Sequence, residues 1–426
     1  MIERASATAR GRLLAALRVQ YPDVLGGAGF RPLHPVTGEP CADGRRHLVA
    51  TCRSVANFAA GAVAGGPDWC VDAAERGIDF LESAHRADAG GYRLVVDADG
   101  DPVDRTRSAY GHAFVLLAYA RATAAGVDGA EAGLEATAAL LEERFHDGTG
   151  RLRSDCDPDW TEREPYRGQN ANMHACEAYL AAHEATGDRR YLERARRVAR
   201  GITVDLAAET DGLLWEHYTE GWDHDFAYNA DAPRHRFRPP GYQPGHHAEW
   251  ATLLALLDRY DAGCAPAGGW ASRAAELFAA AVDLGWTGDG FVYTVEADGD
   301  VLVPDRYGWA LAEGIGAAAA LAERADAGRV DPDAVEAAAV GHGTVDAGND
   351  PVAVDVDRFD RWHGRLVDLA DDYRGPAGVW YEKRLAPAAG GDPVAPEPPA
   401  VEPDYHPVSA FLESWRSGRL REARRE

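Results

Sequence analysis

The sequence predicts an all-α protein folded as a closed α/α barrel, with six helical hairpins arranged in a ring. Three observations lead there. Apolar residues recur at three- and four-residue spacing from end to end, in segments rich in Ala, Leu, Glu and Arg. Short and long connections alternate, so the unit is helix, short loop, helix, long loop, repeated about six times. A single helical pair cannot bury its own apolar face, so the pairs must stack, and a ring leaves no exposed end.

In chain order the periodicity predicts helices near 4–20, 47–65, 70–86, 108–125, 129–146, 170–186, 190–207, 245–261, 269–283, 306–323, 332–340, 354–370 and 406–421. None is long enough for a coiled coil. Short strand-like pieces interrupt the long loops at residues 91–96, 213–218, 290–295 and 379–382. Each carries an aromatic residue and begins at or just after a glycine. An open solenoid would call for more uniform pairs and loop lengths. The Pro/Gly-rich stretch 386–400 reads as a loop crossing the surface, because a further helix follows it. The expectation is one domain over residues 1–426, with the long loops gathered on one rim.

Composition narrows the function. The chain has 426 residues, 46% of them hydrophobic, which is enough to bury a large core. A net charge of −25 argues against nucleic acids and anionic membranes, which attract basic patches. Lys383 is the single lysine, with arginine carrying the remaining positive charge. Acidic excess with depleted lysine is expected of a halophilic cytoplasm; high-GC codon bias is the competing explanation. Residues 1–4 start no apolar signal core, and no run approaches the roughly 18 apolar residues of a membrane span. The six cysteines are scattered, with no C-x-x-C pair, and read as reduced buried thiols. A soluble cytoplasmic protein, monomer or homo-oligomer, is the expectation.

The chemistry-bearing residues sit where long loops open into helices. Pro239 to Gly245 is a rigid Pro/Gly loop running into a first turn that carries His246, His247, Glu249 and Trp250. His246 and Glu249 are three apart and share a face. Asn172, His174 and Glu177 mark another helix start, and Trp309 and Glu313 lie four apart on a third. Tyr405 and His406 open the last helix. Arg53 stands in an Ala/Val/Phe-rich helix, where an arginine is rarely buried without an anionic partner. Singly, each has an ordinary structural explanation; in a closed barrel these helix starts converge on one pocket.

Other site chemistries fit less well. The order is His-x-x-Glu twice, without the additional carboxylates of a di-iron bundle, and H-E-x-x-H is missing, so no metal is expected. No Gly-rich strand-to-helix turn of the nucleotide-binding kind is found. A carboxylate pair for glycoside hydrolysis stays open, since Asp and Glu are abundant.

From roughly Arg53 to His406 the chain resembles the N-acylglucosamine 2-epimerase superfamily. Arg53 is similar to its early arginine, and Tyr110-Gly111-His112-Ala113-Phe114 to its tyrosine-bearing helix. Asn172-Met173-His174 resembles its substrate-binding segment. Gly245-His246-x-x-Glu249-Trp250 is the most specific match, and Trp250 looks like the branch that isomerises mannose or sulfoquinovose. Trp309-x-x-x-Glu313 and Tyr405-His406 follow in the expected order. One departure is the Pro-rich, acidic stretch from Gly390 to Pro403, where many members have a shorter loop.

The resemblance implies an (α/α)6 barrel and cofactor-free interconversion of a free monosaccharide, as an aldose–ketose isomerase of the mannose–fructose type. A cis-enediolate route needs a base over C1–C2, an acid/base for the oxygens and a positive group for the oxyanion. His406 is expected to shuttle the C2/C1 proton and His246 to open the ring and handle oxygen protons, an assignment that the resemblance leaves interchangeable. Glu249 would orient His246 or raise its basicity. Glu313 would hold hydroxyls or tune a histidine, and Arg53 would stabilise the enediolate. Tyr110, Asn172, His174 and Glu177 would bind the sugar, with Trp309 or Trp250 packing against its face. The alternatives are a sugar 2-epimerase, a glycoside hydrolase or lyase on an α/α barrel, and a non-catalytic barrel.

Overall fold

The computed structural model describes residues 2–26, 29–41, 44–260, 265–331, 356–386, 394–395, 401 and 403–426. Six helices form an inner ring: α2 (Leu48–Val63), α4 (Ala109–Ala124), α6 (Gln169–Thr186), α8 (Pro244–Tyr260), α10 (Gly308–Asp326) and α12 (Tyr405–Ala423). Each packs on the next, and α12 returns to α2, so the ring closes. The outer layer is α3 (Trp69–Phe80), α5 (Ala130–Arg144), α7 (Arg189–Arg200), α9 (Trp270–Gly285) and α11 (Val356–Leu369), each packed on the inner helix before it. The sixth outer helix is α1 (Ile2–Gln20), which packs on α12. The last pair is therefore made from the two ends of the chain instead of a sequential hairpin.

The helix faces explain the two layers. Inner helices such as α2 and α10 are buried almost all round, as their Ala/Leu/Gly-rich sequences require. Outer helices such as α7 bury one stripe, Tyr191, Leu192, Ala195, Val198 and Ala199, and turn arginines outwards. The expected helix at 332–340 lies outside the described residues, as does most of 386–403.

The strands lie in the long loops before inner helices. β1 (Leu25–Gly26) pairs with β2 (Gly29–Phe30), and β3 (Arg45–His47) joins β4 (Val95–Asp97) and β5 (Pro102–Asp104). β6 (Arg167–Gly168) pairs with β7 (His217–Tyr218). β8 (Val292–Val295), β9 (Val301–Tyr307), β10 (Lys383–Arg384) and β11 (Val394–Ala395) form an antiparallel sheet. Arg306 and Tyr307, expected in a helix, are instead the end of β9. Arg306 pairs with Val292 and Arg384, and Tyr307 with Lys383. Cross-strand pairing outweighs helical propensity there, and α10 starts at Gly308.

Three consecutive inner helices are tied to their loops in the same way. His112 Nδ1 is 2.7 Å from Ser108 O and its Nε2 accepts Tyr92 N–H at 3.0 Å. Asn172 donates to Gly168 O at 2.9 Å and accepts Leu152 N–H at 2.7 Å. His247 Nδ1 is 2.9 Å from Gln243 O, and its Nε2 accepts Leu214 N–H at 3.0 Å. In each case one side chain satisfies a carbonyl four residues back and a buried amide of the preceding loop.

Candidate active site

A cleft opens where the inner helices begin, and residues from all six line it. Arg53 comes from α2, Tyr110 from α4 and His174 from α6. His246 and Glu249 come from α8, Trp309 from α10 and His406 from α12. The positive ends of six helix dipoles thus surround the cavity, a setting that favours negative charge developing on a bound molecule.

Trp309 packs against two histidines, its ring centroid 5.1 Å from His246 and 5.8 Å from His406. Gly245 makes room for it: a Cβ there would lie 2.4 Å from the indole. His406 Nδ1 lies 2.6 Å from Glu313 Oε1, and its Nε2 is 3.3 Å from Arg53 Nη2. Burial first, then the neighbouring guanidinium, pushes the His406 pKa well below its ordinary value. The ring is therefore neutral, with Nδ1–H donated to Glu313 and the Nε2 lone pair on the Arg53 side. Arg53 packs against the rings of both Phe114, at 4.6 Å, and Tyr405, at 4.9 Å, and it donates to Tyr110 Oη at 3.1 Å.

His246 is held differently from the expectation. Its Nδ1 lies 2.9 Å from Glu216 Oε1, not against Glu249. Glu216 precedes β7 and is fixed in turn by Gln169 Nε2 at 2.9 Å. Burial drives the Glu216 carboxyl upwards, but His246 and Gln169 outweigh it and hold it below the ordinary carboxylate value. Glu249 faces His174 instead, with Oε1 3.5 Å from Nδ1. A helical i,i+3 spacing put His246 and Glu249 on one face, but the imidazole turns outwards to the loop.

His174 Nδ1 lies 3.0 Å from Glu177 Oε2, and burial lowers its pKa to about 4. The other Glu177 oxygen accepts the Tyr405 hydroxyl. Burial acts to raise the Glu177 carboxyl, yet hydrogen bonds from His174 and Tyr405 bring it below its ordinary value.

Four expected sugar contacts are placed elsewhere. Asn172 is fully buried and spends its amide on Leu152 and Gly168, so its neighbour Asn170 lines the cavity. Trp250 is fully buried behind the wall, its indole donating to Gln169 Oε1 at 2.7 Å. Glu177 and Glu313 sit beneath the histidines and face a smaller cavity along the barrel axis, which Glu249 also lines. Sequence reasoning missed Glu216, Gln169 and Asn170. A carboxylate at Glu216 between Trp215 and His217, in a strand-like stretch, was the one available signal.

His174, Glu177 and Glu249, and separately Glu249, Glu313 and His406, each bring three ligand atoms within 4.8 Å of one another. Among the described residues, those are the side chains grouped closely enough to hold a cation. Their oxygens and nitrogens are already engaged with one another, with Tyr405 and with Arg53, which is the pattern of a proton-transfer network. No described helix is long and apolar enough to cross a membrane.

Residues 29–341 match the family model for N-acylglucosamine 2-epimerase. The chain is 42% identical over 294 residues to a D-mannose isomerase of Thermobifida fusca, spanning 68% of this chain and 71% of that protein. A crystal structure of a D-mannose isomerase superposes with a TM-score of 0.82 at 31% identity, covering 96% of this chain and 97% of the other. The cellobiose 2-epimerase of Bacillus thermoamylovorans shares the fold, with a TM-score of 0.74 at 15% identity over 96% of this chain and 99% of the other. With inner-helix histidines, arginine and tryptophan converging on one cleft and a family match over most of its length, this chain belongs to the N-acylglucosamine 2-epimerase family.

Proposed function

We infer that this protein is an aldose–ketose isomerase interconverting mannose and fructose. The observation that carries it is a pair of imidazoles, both packed against Trp309 and each with a carboxylate on Nδ1, facing one cleft. A relative 42% identical over 68% of this chain and a solved structure 31% identical over 96% of it are both mannose isomerases.

The chemistry follows from the side chains. His246 takes the anomeric hydroxyl proton and returns one to the ring oxygen, opening the sugar. His406 Nε2, neutral beside Arg53, abstracts the C2 proton, and the electrons pass through C1 to O1. Arg53 and the helix N-termini stabilise the enediolate. His406 then delivers its proton to C1 while His246 takes the proton of O2 and passes it to O1, giving the ketose. Each carbon and oxygen gains or loses one proton, so the balance closes. Tyr110, His174 and Asn170 are the proposed hydroxyl ligands, and Trp309 the surface against which the sugar lies.

Incubation with mannose tests this directly: fructose is the expected product. Accumulation of glucose in its place would make the enzyme a 2-epimerase, and neither product would remove the reading.

Three finer statements belong to the same proposal. A single domain spans residues 1–426, supported by the pairing of α1 with α12. A cytoplasmic location and adaptation to salt are supported by the net charge of −25 and the single Lys383. Thermal midpoints that rise steadily with KCl are the expected signature of the last.

A further inference from the structure

Trp250 touches no part of the cleft, yet its one polar atom is committed. The indole N–H donates to Gln169 Oε1 at 2.7 Å. An indole nitrogen can only donate, so it permits one orientation of the Gln169 amide. That orientation turns Nε2 towards Glu216 Oε2 at 2.9 Å and His246 Nδ1 at 2.8 Å. The flipped amide would set N–H against N–H at Trp250 and oxygen against oxygen at Glu216. Gln169 and Trp250 are fully buried and Glu216 is 2% exposed, so water does not rescue the wrong arrangement.

We propose that Trp250 is a positioning residue for His246, acting through Gln169 and Glu216 to hold the imidazole with its hydrogen on Nδ1 and its lone pair on Nε2. Two nitrogens, His246 Nδ1 at 2.9 Å from Oε1 and Gln169 Nε2 at 2.9 Å from Oε2, share the Glu216 carboxylate and lie 2.8 Å from each other. For Nδ1 the charge-assisted bond to the carboxylate is stronger than the contact with Gln169, so the hydrogen sits on Nδ1. Gln169 keeps Glu216 from rotating away, and Trp250 keeps Gln169 from flipping. When Nε2 takes a sugar hydroxyl proton, the imidazolium that forms is already paired with Glu216. When the proton leaves, the ring returns to the same tautomer. Among the described residues, other titratable groups near His246 include His247 and Glu249 on its own helix, His174 on α6 and His406 on α12. None of them competes for Nδ1.

The inference rests on the oxygen-side acid/base role read for His246 above, but its test does not depend on it. Trp250→Phe keeps the aromatic packing and removes the donor; Gln169→Met removes both amide donors at similar length. The full-length protein labelled with ¹⁵N-histidine reports the tautomer of His246, whose signals are identified by their loss in His246→Gln. The wild type is expected to show a protonated Nδ1 and an unprotonated Nε2, and both variants a mixture of tautomers. With mannose, both variants are expected to lose about tenfold or more in kcat, with KM changed by less than about twofold and the acidic limb of the pH profile displaced. A wild-type tautomer in both variants would overturn the proposal, whatever the activity. So would a fall in kcat with an unmoved pH profile, which marks a structural role, or a rise in KM alone, which marks a sugar contact. An absence of any mannose turnover in the wild type, with the tautomer shift still present, would remove the isomerase reading and leave the relay standing.

Discussion

His406 Nδ1 lies 2.6 Å from Glu313 Oε1 while its other nitrogen faces Arg53 Nη2 at 3.3 Å. A carboxylate on one side and a guanidinium on the other give the ring opposite instructions. Glu313 stabilises the imidazolium once formed, while burial and then Arg53 keep the resting ring neutral. Glu313→Gln is expected to lower kcat by about tenfold to hundredfold, and His406→Ala or His246→Ala by about 10²-fold or more. Steady-state rates with mannose check this; an alanine variant at either histidine that kept half the wild-type rate would remove that residue from the mechanism.

Asn172 and Asn170 are expected to separate stability from binding. Asn172 ties α6 to Leu152 from a fully buried position, so Asn172→Ala strands buried backbone groups and should cost about 1–3 kcal/mol of stability. Asn170 is half-buried and lines the cleft, and its side-chain Oδ1 has no hydrogen-bond partner among the described residues. Asn170→Ala should raise KM for mannose and leave the urea midpoint nearly unchanged. The opposite pattern would exchange the two roles.

Gly245→Ala should act through Trp309. The added methyl would lie 2.4 Å from the indole, so the ring must move away from its place against the two histidines. A loss of turnover is expected together with a changed tryptophan fluorescence spectrum. Full activity in this variant would mean that the position of Trp309 is immaterial.

Folding stability should fall on the acid side. His47, His85, His112 and His247 are each lowered from 6.5 to about 4, chiefly by burial. The unfolded chain takes up these protons below about pH 6.5, and the folded chain does so only near pH 4. Their contribution is therefore complete above about 6.5 and lost as pH falls towards 4, by up to about 3 kcal/mol for each ring. Urea midpoints at several pH values between 7.5 and 4.5 measure it; a constant midpoint would contradict the assignment.

Exhaustive chelation tests whether the Glu249, Glu313 and His406 trio, close enough to hold a cation, does so in catalysis. Because the proposed route moves protons between side chains and sugar, dialysis against a chelator is expected to leave turnover unchanged. A loss restored by one divalent ion would require a metal step.

Helix positions were legible because a 3.6-residue period is a local property: α4, expected near 108–125, runs Ala109–Ala124, and α8, expected near 245–261, runs Pro244–Tyr260. β9 was not, because Arg306 and Tyr307 owe their extended backbone to partners at Val292, Lys383 and Arg384. Several of the side chains lining the cleft were likewise visible as polar residues at helix starts. Their partners were not. Glu216 precedes His246 by 30 residues, and Glu313 precedes His406 by 93.

The sequence by itself determined that helices pair, that the pairs close into a barrel, and that His246 and His406 open two of its inner helices. Periodicity and the order of residues along one chain are enough for that. Only the tertiary structure decided which carboxylate serves which histidine, that Asn172 and Trp250 stand behind the cleft, and that α1 completes the ring with α12. Those outcomes depend on side-chain direction and on contacts between segments far apart in sequence, where hydrogen-bond geometry selects one partner from several of the same chemical type.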